Sequence, residues 1–162
     1  MRTAPRFRHR VDMTNTDMTK TELTEKPATG TDPKIEAVRR LYGAYGRGDI
    51  EAVLAEVADD VDWAAEAAGD AVPWWGAHNG KAEVPRFFHE IGSNVDVTEF
   101  DVVSCISGGD DVISTVHWTF TVKATGKSAS MYMLHWWRFA DGKVAFFRGF
   151  EDSEQSARAF AG

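Results

Sequence analysis

The stretch Met131-Tyr-Met-Leu-His135-Trp-Trp-Arg-Phe-Ala-Asp141-Gly142-Lys-Val-Ala-Phe-Phe-Arg148-Gly-Phe-Glu151-Asp152 decides how this chain is read. Two runs rich in aromatic and β-branched residues flank Asp141-Gly142, a dipeptide suited to the left-handed conformations of a tight hairpin turn. The pair of strands carries one histidine among large apolar neighbours and ends in two carboxylates. A hairpin of this composition is not stable alone in water, so the rest of the chain must cover it, and the cover is expected to leave a pocket.

Working outward towards the N-terminus, Val112 to Val122 alternates cleanly. Val112, Val116, Trp118, Phe120 and Val122 share one face, and Thr115, His117, Thr119 and Thr121 share the other. Gly108-Gly109-Asp110 separates this run from a strand over Val95–Ile106, and Thr125-Gly126 turns it into the hairpin. Helices come earlier. Ile35, Val38, Leu41, Tyr42 and Tyr45 recur at helical spacing behind Pro33. Asp49 caps a second helix carrying Ile50, Val53, Leu54 and Val57. Val84, Phe87, Phe88 and Ile91 mark a third. Between them, Val61-Asp62-Trp63 reads as a short strand, and 64–80 as a loop whose Trp74 and Trp75 need an apolar wall. The tail from Ser153 is polar, with Ala157 and Phe160 as last contacts. Helices first and four long strands after predict an α+β fold with an antiparallel sheet.

Residues 1–32 differ from the rest. Arg2, Arg6, Arg8 and Arg10 precede a threonine-rich run without periodicity, which predicts a disordered N-terminal tail ahead of one domain over 33–162. Met13 and Met18 are candidates for the true start of translation. The formal charge of -7 argues against nucleic acid, because binding to phosphates needs a basic face. The single cysteine, Cys105, forbids an intramolecular disulfide and makes a reducing, cytoplasmic location the default. No apolar run approaches the roughly 18 residues that cross a bilayer.

These features together resemble the SnoaL-like branch of the nuclear transport factor 2-like superfamily, which also contains the ketosteroid isomerases. The resemblance is carried by Tyr42 through Gly48-Asp49, by Asp59-Asp60-Val61-Asp62-Trp63 and by Gly76 to Phe88. It continues through Thr125-Gly126-Lys127, His135, Arg138-Phe139 and Gly142-Lys143-Val144 to Asp152. It implies a cone: a strongly curved antiparallel sheet wrapped around N-terminal helices, enclosing an apolar cavity, in a homodimer paired through the outer sheet face. Ketosteroid isomerases use an aspartate base with a tyrosine and a protonated aspartic acid as oxyanion donors. Those roles fall here on Ala65, Leu41 and His135, so steroid isomerisation is not expected. The family's polyketide cyclases pair a histidine with an acid on neighbouring strands. His135 fits the histidine; the acid's place falls at Gly149, with Glu151 two residues on and on the same side.

The expected function is binding of a small hydrophobic organic molecule, with cofactor-free acid–base chemistry next to a carbonyl: isomerisation, cyclisation or dehydration. Candidate catalytic residues are His135, Glu66, Glu151 and Asp152, and Trp63, Trp74, Trp75, Tyr42, Phe88, Trp137 and Phe147 are candidates for the wall. His78, beside Trp75, could reach a ligand, and His117 shares its face with threonines. No metal site is expected, since no His-Glu-x-x-His, paired cysteines or spaced acids occur. Two alternatives stand beside this: a non-catalytic binding or dimerisation domain, and an epoxide hydrolase built on Arg148 with Asp152 or Arg138 with Glu66.

The hairpin register separates these outcomes. A two-residue turn at Asp141-Gly142 sets Phe139 opposite Val144 and His135 opposite Arg148, with Glu151 on the other face. A three-residue loop at Ala140-Asp141-Gly142 puts His135 on one face with Trp137, Phe147, Gly149 and Glu151. The second is preferred, because it alone builds the acid–base pair.

Overall fold

Asp32 opens the first helix by accepting a hydrogen bond from Lys34 N at 2.8 Å, and Pro33 takes a first-turn position where a missing N–H is harmless. The computed structural model describes residues 32–162, so the expected disordered tail, apart from Asp32, lies outside the described residues. Helix α1 (Pro33–Gly46) buries Ala37, Val38, Leu41, Tyr42 and Ala44; Val38, Leu41 and Tyr42 belong to the expected stripe, whose Ile35 and Tyr45 are half-buried against the core. Asp49 caps α2 (Ile50–Ala55) through Ala52 N at 3.0 Å. Helix α3 (Val84–Asn94) buries Val84, Phe87 and Ile91.

One mixed sheet receives these helices. Its strands are β1 (Val57–Glu66), β2 (Gly76–Ala77), β3 (Val95–Gly108), β4 (Asp111–Val122), β5 (Ser128–Ala140) and β6 (Lys143–Phe150), in the order β2-β1-β6-β5-β4-β3. All neighbours are antiparallel except β1 and β6. The sheet is curved and unclosed, and bulges help to bend it. Thr98 and Val103 are each an extra residue of β3 against β4, and Ala145 is an extra residue of β6 against β5. Burial along β4 alternates without a break.

Three local expectations change. Val57 leaves the second helix and begins β1, and β1 runs to Glu66 where a short strand around Trp63 was expected. It is longer because β6 and β2 pair with its two sides and satisfy its backbone groups. The polar tail is helix α4 (Ser153–Phe160), capped by Asp152 through Gln155 N at 3.0 Å. Ser156 and Ala159 of α4 are buried, and Thr125 Oγ1 donates to the Ala159 carbonyl at 2.7 Å.

Candidate functional site

The turn at Asp141-Gly142 is the two-residue kind, with φ of 49° and 76°, and Phe139 and Ala140 pair with Val144 and Lys143. The expected three-residue loop is therefore wrong. The shared face for which it was preferred nevertheless forms, because the extra residue sits in the strand. Past the bulge at Ala145, Arg138 meets Phe146, Trp137 meets Phe147 and His135 meets Gly149. The ladder from β6 to β1 is irregular at the same level, where Val144 N donates to the Glu56 carbonyl at 2.9 Å. One bulged residue of β6 thus brings Phe147 and Gly149 onto the concave face that His135 and Trp137 already share.

That face is packed with rings. Trp63 lies 4.1 Å from Phe147 and 5.9 Å from Trp137, centroid to centroid, and Phe87 and Phe88 close on Trp63 edge-on. Where an enclosed apolar cavity was expected, the aromatic side chains leave a partly open pocket of about 60 Å³. Its lining includes Leu41, Tyr42, Phe88, Ile91, Trp118 and Met133 beside the hairpin residues. Among the described residues, the titratable groups in the lining are Tyr42, Tyr45, His135 and Glu151.

His135 Nδ1 lies 2.7 Å from the Tyr42 hydroxyl. Burial lowers the imidazole pKa to about 4, so the ring is neutral at pH 7. Burial also raises the Tyr42 hydroxyl well above its ordinary value, with Ser114 and Trp137 acting on it in the opposite direction. Trp137 Nε1 donates to Ser114 Oγ at 3.0 Å. Ser114 is fully buried on the inner face of β4, directly across from His135 in the β4–β5 ladder. It is absent from the sequence-derived candidates, although a polar residue interrupting the apolar face of Val112, Val116 and Trp118 was the available signal.

Glu151 follows β6 and stands at the same pocket. Trp75 Nε1 donates to its Oε1 at 2.6 Å and Trp74 Nε1 to its Oε2 at 3.3 Å. Burial raises the carboxyl pKa, opposed by hydrogen bonds from Trp75, Ser156 and Trp74. Trp74 is part of the lining, whereas Trp75 acts from behind by holding Glu151. His78 is buried and lies outside the lining; its Nε2 donates to the Trp74 carbonyl at 3.2 Å and so braces the same loop.

The other acidic candidates lie elsewhere. Glu66 is exposed and accepts from Arg148 Nε at 2.8 Å, because it sits on the opposite face of β1 from Ala65. Asp152 is the exposed cap of α4. Arg148 holds Asp62 as well as Glu66, and Arg138 pairs with Asp111. An acid–arginine–acid network thus exists, away from the pocket. His117 is also outside, 3.2 Å from Glu99 Oε1. At Gly149, the acid's position in the cyclases, a Cβ would lie 3.3 Å from the Phe147 ring. The close approach leaves little room for a side chain there.

A family model described as SnoaL-like domain matches residues 38–147. An NTF2-like protein from Burkholderia thailandensis superposes with a TM-score of 0.71 at 29% identity, covering 78% of this chain and 96% of that one. An NTF2-like protein of unknown function from Burkholderia pseudomallei gives 0.73 at 25% identity, covering 81% and 99%. TerC, co-crystallised with polyporic acid, gives 0.71 at 22% identity, covering 80% and 98%, a likeness of fold alone. No curated protein matches the chain.

Proposed function

The chain belongs to the SnoaL-like domain family, and we propose that it binds a small, largely apolar carbonyl compound in this pocket and moves a proton on it without a cofactor. Isomerisation, cyclisation and dehydration are all such reactions. The observation that carries the proposal is the convergence of His135 and Glu151 on one otherwise apolar lining, with their pKa values displaced in opposite directions by burial. Burial favours the neutral form of each group, so a proton acceptor and a proton donor poised by their surroundings face one substrate site. Glu151, rather than Glu66 or Asp152, is the partner of His135. Trp63, Trp137, Phe147 and Phe88 form the wall, and the loop of Trp74 and Trp75 covers it.

A non-catalytic binding role is the second reading. It is favoured by one fact: both oxygens of Glu151 already accept indole N–H groups. An epoxide hydrolase is less well supported, since the network of Asp62, Arg148 and Glu66 does not reach the pocket. Two copies pair through the outer sheet face, where Ile106, Tyr132 and Leu134 are exposed at 66%, 68% and 49%.

The test is turnover and binding across a panel of cyclic and aromatic ketones, with tryptophan fluorescence reporting occupancy. His135→Gln and Glu151→Gln should each abolish conversion while the probe still binds. Conversion that survives both substitutions would end the catalytic proposal; binding without conversion in the unmodified protein would establish the second reading.

A further inference from the structure

The indole of Trp137 is the one partner in the buried polar chain whose direction admits no choice, because an indole nitrogen only donates. Its proton goes to Ser114 Oγ at 3.0 Å. Ser114 is fully buried, and it and Trp137 act together on the neighbouring Tyr42 hydroxyl, against the effect of its burial. Tyr42 in turn stands 2.7 Å from His135 Nδ1, its one hydrogen-bond partner among the described residues. The buried hydroxyl proton is therefore satisfied when Tyr42 donates to Nδ1. In the opposite direction, Nδ1 would donate to Tyr42. The Tyr42 proton would then be buried with no acceptor among the described residues, a costly arrangement.

We propose that Trp137, Ser114 and Tyr42 hold His135 as its Nε2–H tautomer, so that the ring presents a hydrogen-bond donor to the pocket and Glu151 alone moves the proton. His135 lines the pocket, and its Nε2 has no protein partner among the described residues and is not sealed from the open space. This rests on the functional reading above and divides its labour. The Glu151 carboxylate takes a proton from the carbon next to a substrate carbonyl. The C–H electron pair becomes the new C=C bond, and the carbonyl π pair moves to oxygen. That oxygen, gaining charge, receives the Nε2–H of His135. Glu151 then returns the proton at carbon or oxygen, and no oxidant or reductant is needed. A neutral imidazole suits this work, since it stabilises an oxyanion without having to change its own protonation. Tyr42 and Ser114 touch no substrate atom in this scheme. They are positioning residues, which differs from the wall role expected of Tyr42.

Nitrogen-15 NMR of histidine-labelled full-length protein reads the tautomer directly. The chain has five histidines, and the signals lost in His135→Gln assign His135. The expected result at about pH 7 is a neutral ring with the proton on Nε2. A proton on Nδ1, or an imidazolium, would overturn the assignment. Tyr42→Phe removes only the hydroxyl; it should shift the ring towards a mixture of tautomers, and an unchanged Nε2–H signal would refute the role of Tyr42. Ser114→Ala should shift the ring in the same direction and checks the chain if the first variant folds poorly. In turnover, Tyr42→Phe should lower kcat about tenfold with KM little changed, the loss of roughly one hydrogen bond felt in the transition state. If the protein converts no ketone, the functional reading fails while the tautomer result still stands or falls on the spectra.

Discussion

Replacing His135 by Gln should alter how stability depends on pH, by an amount the structure sets. The folded imidazole has a pKa of about 4, against an ordinary 6.5 in the unfolded chain. As pH falls below 6.5, the unfolded state binds a proton that the folded state refuses until pH is near 4. Stability contributed by the neutral buried ring is therefore full above pH 6.5 and is lost as pH falls towards 4. The whole displacement is worth about 3 kcal/mol, and about 2 kcal/mol of it should be gone by about pH 5. Glu151 works the other way: its raised pKa makes stability fall as pH rises above the ordinary carboxyl value. Comparing each protein with itself would mix the two effects, so the difference between the unmodified protein and His135→Gln is the useful quantity. Urea unfolding followed by tryptophan fluorescence at about pH 7.5 and about pH 5 measures it. Glutamine keeps a polar group near Tyr42 and does not titrate. The unmodified protein should lose about 2 kcal/mol more than the variant on acidification. Parallel losses in the two proteins would refute the burial argument, and with it the neutral ring on which the donor role depends.

Arg148→Ala should destabilise by about 1 kcal/mol, through loss of its pairs with Asp62 and Glu66 and of its stacking on Phe146, and leave ketone turnover unchanged. Loss of turnover there would revive the epoxide hydrolase reading. Leu134→Lys, on the outer face of β5, should convert a sedimenting dimer into a monomer; a monomeric unmodified protein would remove the proposed pairing.

Alternation and helical spacing are local properties of the chain, and they were enough to order the elements. The faces of α1 and β4 and the α+β class all follow from which residues recur at a period of 3.6 or 2. The place of the hairpin turn was legible from Asp141-Gly142, but its length was not: both residues adopt positive φ in a two-residue turn where a three-residue loop was expected. The short helix α4 was not legible, because Ser156 and Ala159 give too weak an apolar stripe to stand out from a polar tail.

The pocket depended on more distant matters. His135 and Glu151 could be named from their chemistry, but their convergence required a bulge at Ala145, and no turn residue announces a bulge. Side-chain direction has a period of two along a strand, so one residue inserted in β6 decides whether the end of that strand faces the same way as His135. Glu66 and Asp152 looked equivalent to Glu151 in sequence. Only tertiary placement separated them, sending one to Arg148, one to the cap of α4 and the third to the indoles of Trp74 and Trp75. The chain of Trp137, Ser114, Tyr42 and His135 spans α1, β4 and β5, and 93 residues separate its last two members in sequence. Local pattern determined the elements and their faces. Which polar groups meet inside was decided by packing, because burial obliges each of them to find a partner wherever in the chain it lies.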